Sequence, residues 1–262
     1  MSGEATLDYA RVVDTTWHIL NAGGERRERL LAALPAGERA IVADGTSGPG
    51  FAMEQARRRK TVANVLNTAF AVTFFAYYGR TGAEGLHAFL DSGAWQDRPA
   101  QPGSVFPPAA TSAAAFAAFL RSTDWIARQE DWVAEAFAFE HDYLFGGSAG
   151  TRRPAAGESG LVPGAWVAEA AFDVPEYGRL LRERGPVDPW PEALLLVKRR
   201  PAPLAVVSLP ESGRVRRIRL TGATVAALRW LWSPDAPRPA DATSTGAYAK
   251  AVAAGLVAED SW

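Results

Sequence analysis

Between Gly146 and Gly164 the chain reads GGSAGTRRPAAGESGLVPG, a stretch with six glycines, two prolines and scarcely any large apolar residue. Such a segment has little with which to build a packed core, so it reads as a linker, and the hydrophobic period differs on its two sides. Before it, apolar residues recur at spacings of three and four; after it, they alternate or come in short β-branched runs. The expected fold class is therefore α+β: a helical N-terminal domain over 1–145, a linker over 146–164, and a smaller α+β domain over 165–262. The 262 residues suffice for one large domain or two small ones.

In the helical half, Leu7, Val12, Val13, Trp17, Leu20, Leu30, Leu31 and Leu34 mark two helices interrupted at Asn21–Gly24. DGTSGPG at 44–50 is a loop, and the next helix carries Arg57-Arg58-Arg59-Lys60 followed by the 19-residue charge-free run Thr61–Gly79. That run is long enough for a membrane span. Asn64, Asn67, Thr68 and Thr73 dilute it, so a helix buried in a water-soluble core is expected instead. Thr81 and Glu84 form a capping-box pattern for a helix that buries Leu86, Phe89 and Leu90. An irregular crossing over 95–108, a helix from Thr111 through Leu120, and a helix from Trp125 to Phe145 complete this half. On the last of these, Trp125, Trp132, Val133, Ala136, Phe137, Glu140, Tyr143 and Leu144 share one face. Glu140 is thus either a buried, shifted acid or, as is commoner, a carboxylate at the edge of that face, paired with an arginine or with backbone amides at a neighbouring helix end.

In the second half, 165–174 alternates as a strand, Tyr177–Arg184 gives one or two helical turns, and Leu194–Arg200 is a short apolar strand. Leu204–Leu209 and Val215–Leu220 form an antiparallel hairpin across the turn Pro210-Glu211-Ser212-Gly213. Helices over 221–232 and 247–254 follow, an order of elements that suits a winged-helix-like module.

Composition narrows the chemistry. There is no cysteine, which excludes disulfides, thiolate metal sites and cysteine nucleophiles, and the three histidines (His18, His87, His141) are too scattered for a protein-only metal centre. No Gly-rich phosphate loop, HExxH or GxSxG motif is present. No catalytic residue, metal ligand or cofactor is therefore assigned to this chain, and an acid–base site at Glu140 and His141 is the least favoured reading. The polar, acidic start MSGEATLDYARVVD lacks the pattern of a secretion signal, so a cytoplasmic protein without membrane contact is expected.

The ordered signal is charge. The total is −1, but 193–220 carries Lys198, Arg199, Arg200, Arg214, Arg216, Arg217 and Arg219 against Glu211 alone, a local net of +6, while residues 1–160 carry −3. A basic hairpin can contact nucleic-acid phosphates, or can accept an extended peptide as an added strand with arginines on its carboxylates. It can equally be a solvent-facing edge protected by charge. The would-be recognition helix, TGATVAALRWLW, offers Arg229 alone as a base reader, which argues against DNA. Peptide addition places candidate contacts at Val206, Ser208, Arg214, Arg216, Ile218 and Arg219.

The pattern Trp132-Val133 to Phe139-Glu140, then Ala171-Phe172-Asp173-Val174, Leu194-Leu-Leu-Val-Lys-Arg199 and a strand–helix closure resembles the partner proteins of multinuclear non-haem iron oxidative enzymes, including those of the methanobactin and thiaglutamate pathways. The segment around Asn64 and Leu66 is similar to the corresponding helix of that family more loosely. The resemblance implies a non-catalytic subunit that docks through its helical domain on an iron-dependent TIM-barrel oxidative enzyme. Its C-terminal peptide-recognition-element-like module would take the leader of a ribosomally synthesised precursor peptide on the hairpin 206–209 and 215–220, with the iron held by the partner. The alternative is a winged-helix DNA-binding transcription regulator.

Overall fold

The computed structural model describes residues 7–22, 24–97, 109–146, 160–162, 164–184, 203–211, 214–233 and 235–258. The chain forms two compact units, residues 1–69 with 74–125, and residues 70–73 with 126–262. The helix that ends at Phe145, expected in the N-terminal domain, thus counts with the second unit.

The first unit is helical among its described residues. Helices α1 (Tyr9–Leu20) and α2 (Gly24–Ala32) flank the expected break, and α3 (Ala36–Gly45), α4 (Pro49–Ala69), α5 (Ala71–Asp91), α6 (Gly93–Gln96) and α7 (Ala109–Ser122) follow. Asp8 caps α1, its carboxylate accepting from the Arg11 amide at 3.1 Å, while buried Glu38 of α3 accepts from the Asp8 amide at 3.2 Å. Ile19, Leu31, Leu34 and Val42 form a small core where α1, α2 and α3 meet. A second core is aromatic: Tyr77 meets the rings of Phe116, Phe119 and Trp125 edge-on, and Phe89 meets Trp95 and Phe116 in the same way.

The charge-free run is not one helix. It stops at Ala69, bends at Phe70 and restarts as α5. The expected new start at Thr81 is a kink inside α5: Gly82 has φ 60° and ψ −152°, a conformation open to glycine and strained for other residues. No helix among the described residues is long and apolar enough to cross a membrane.

The second unit places a small sheet between two helical layers. Strands β2 (Trp166–Ala170), β3 (Leu204–Glu211) and β4 (Arg214–Thr221) are antiparallel in the order β2-β3-β4. Pairing runs from Leu204 with Thr221 to Glu211 with Arg214, so the connection is tighter than the four-residue turn expected from sequence. One sheet face carries Val167, Ala205, Val207, Leu209, Ile218 and Leu220. It packs on α10 (Ala223–Leu228), the 3-10 turn Arg229–Leu231 and α11 (Gly246–Ala253), burying Val225, Leu228, Trp230, Tyr248 and Ala251.

The opposite face carries Trp166, Ala168, Ala170, Leu204, Val206 and Ser208. α8 (Asp131–Phe145) packs against β2 and α9 (Val174–Arg184) packs beside α8, with Trp132 and Phe172 each edge-on to Tyr177. The helix expected from Trp125 begins instead at Asp131, and Ile126–Arg128 is a separate 3-10 turn. α9 spans 11 residues, longer than the one or two turns expected. The end of the expected linker is also ordered: β1 (Gly160–Leu161) pairs antiparallel with β5 (Val257–Ala258). Residues 147–159 and the expected strand Leu194–Arg200 lie outside the described residues.

Candidate functional site

Glu140 is buried on α8 and both carboxylate oxygens are occupied. Oε1 accepts from the Val72 amide at 2.8 Å and Oε2 from the Thr73 amide at 3.1 Å. These are orphan donors at the N-terminus of α5, so Glu140 caps a helix from 68 residues away, the backbone-amide arrangement weighed from sequence. Burial pushes its carboxyl up to about 7, against the lowering effect of the amides and of Arg182. The neighbouring His141 ring contacts Asp142 at 3.3 Å and lies beside Phe145. No group of three acidic, histidine or cysteine side chains among the described residues could hold a metal ion.

The hairpin residues divide by strand. Val206 and Ser208 lie on β3, which has β2 on one side and β4 on the other. Both are buried. Their backbone groups face β2 and β4, so of the expected hairpin contacts these two lie on the central strand and not on an edge. Of the two edge strands of this sheet among the described residues, β2 and β4, the one that carries the arginines is β4. Arg216, Ile218 and Arg219 are on it, and so is Arg214, whose side chain lies outside the described residues.

Alternation along β4 then fixes which layer each side chain meets. Arg216 turns to the α11 layer and donates to the Ala254 carbonyl at 2.9 Å. Ile218 is half-buried against the core on that face. Arg219 turns to the other layer and pairs with Asp173. Arg217, between them and absent from the residues selected on sequence, stacks over the Tyr143 ring at 4.3 Å and donates to the Tyr143 carbonyl at 3.3 Å. Sequence counted Arg217 in the basic run without distinguishing it. The signal was its place in the alternation, on the same face as Arg219, combined with a carboxylate that reaches only one of the two.

The single cation of the candidate DNA-reading element is held in an ion pair. Arg229 pairs with Glu169 at 2.9 Å, and the second Glu169 oxygen accepts from the Trp232 indole at 2.9 Å. In chemical terms the second unit offers an exposed strand edge with guanidinium groups on both sides, a surface suited to an extended, anionic backbone. No protein-family model matches the chain, and comparison with curated proteins and with solved structures returns no significant match.

Proposed function

We propose that the chain is a non-catalytic, peptide-binding partner subunit. Its second unit would act as a winged-helix-like, peptide-recognition-element-like module, taking the leader of a ribosomally made precursor as a fourth strand beside β4. An iron-dependent oxidative enzyme, docked on the helical first unit, would then act on the core of that peptide. The observation that carries this reading is the β4 edge: it has one paired neighbour among the described residues, helices support its sheet on both faces, and its exposed side chains are largely arginine. Added strands obtain affinity from main-chain hydrogen bonds and selectivity from alternate side chains, and β4 offers both.

The test is co-purification with an iron enzyme encoded beside it, and titration with the leader of a precursor encoded in the same neighbourhood. A complex with each is expected. Absence of a complex with either overturns the proposal. Binding to a DNA duplex that weakens steeply with salt would replace it with the regulator reading.

A further inference from the structure

We infer that Arg217 determines which peptide β4 accepts, and that the accepted strand carries an Asp or Glu level with Arg217 next to an apolar residue level with Ile218. This rests on the strand-addition reading above and specifies its ligand. Three facts combine. First, residues level with one another on neighbouring strands point to the same sheet face, so a strand laid on β4 presents alternate side chains to the two helical layers. Second, the arginines on the α8 face are unequally satisfied. Arg219 has the carboxylate of Asp173, whereas Arg217 has a carbonyl and an aromatic face and, among the described residues, no acidic partner.

A guanidinium has five N–H donors in a planar fork. Arg217 directs one of its terminal nitrogens to the Tyr143 carbonyl, while the ring beneath holds the plane of the group in place. The remaining donors of this exposed side chain suit a carboxylate, which binds such a fork in two-pronged fashion. Third, the adjacent position on β4 is Ile218, half-buried and packed at the margin of the core. A strand residue level with Ile218 therefore meets an apolar margin. The pattern read by the edge is acid beside apolar, where a uniformly basic hairpin would read net charge alone.

The experiment is selection of a displayed random library of strand-length peptides against the intact chain. An enriched peptide is then resynthesised with its acid replaced by the matching amide. Enrichment of Asp or Glu next to an apolar residue is expected, and the amide version should bind about tenfold more weakly, the equivalent of one charge-assisted bond. That tenfold difference should vanish on Arg217→Gln and return in part on Arg217→Lys, with circular dichroism showing that both variants fold. If peptides are enriched without an acid, or the difference persists on Arg217→Gln, the assignment of Arg217 is wrong and strand addition stands. If no peptide is enriched, strand addition itself fails and the assignment with it. If a short DNA duplex binds instead and Arg217→Gln abolishes that binding, Arg217 reads phosphate and the inference is overturned.

Discussion

Replacing Glu140 with glutamine tests whether the carboxylate that caps α5 is held against its own charge. Burial outweighs the amides of Val72 and Thr73 and the Arg182 field, and moves the carboxyl from its ordinary 4.5 to about 7. A carboxyl whose pKa is raised by folding is best tolerated protonated. Its contribution to stability is fully present below the unfolded value and is lost as pH rises through the folded one. At about 1.4 kcal/mol per pKa unit the full effect is roughly 3 kcal/mol, and most of it falls between about pH 5 and about pH 8. Glutamine keeps a carbonyl for one amide and sets its own N–H2 against the other, a pH-independent cost of about 1–3 kcal/mol. Urea unfolding followed by tryptophan fluorescence at both pH values should therefore show the wild type ahead of Glu140→Gln at the acid end. The gap should narrow by roughly 2–3 kcal/mol at the alkaline end, on the order of 1 M in midpoint for a typical denaturant slope. Other titrating groups cancel in the difference. A gap that stays constant would refute the reasoning, and a gap that widens with pH would show that the helix N-terminus favours the charged form more than burial opposes it.

Three further outcomes follow from packing. Gly178→Ala puts a Cβ 2.9 Å from the Ala71 Cβ; it should lower stability by about 1–3 kcal/mol in thermal unfolding, although helix propensity alone would favour alanine. Tyr77→Phe removes the phenol that donates to the Gly85 carbonyl at 2.7 Å while keeping the ring among Phe116, Phe119 and Trp125, so a loss of about 1 kcal/mol in denaturant unfolding is expected. Ser208→Ala deletes a fully buried hydroxyl with no hydrogen-bond partner among the described residues; stability should hold or rise by up to about 1 kcal/mol, and peptide affinity should not change.

What the sequence made legible was local. The alternation of 204–209 and 215–220 yields the observed register because one face must bury Val207 and Leu220, and the break at Asn21–Gly24 falls where α1 ends. What it hid was nonlocal. The bend at Phe70 has no capping residue beside it in the chain, since the cap is Glu140; a window on 61–79 sees only an unbroken apolar run. α3 shows no helical period in its sequence because AGERAIVADG buries only Glu38 and Val42, too few positions to mark one. The hairpin arginines looked equivalent for the same reason. Asp173, which singles out Arg219, lies 46 residues away from it.

That pairing alters what the basic segment means physically. Arg216 donates to Ala254, the residue that closes α11, and Arg217 donates to Tyr143 in the last turn of α8. Both cations thus sit at helix C-termini, where the unpaired carbonyls carry partial negative charge. Part of the local +6 therefore serves to join the two helical layers to the sheet margin and needs no external anion. It also draws the arginine side chains to either side of β4, toward the layers, instead of across the strand edge. Charge of this kind protects an edge selectively. A second copy of β4 would bring its own arginines against these, and like charges level with one another oppose pairing. An acidic strand meets the same margin with the sign reversed, so the feature that blocks self-association also favours an anionic peptide.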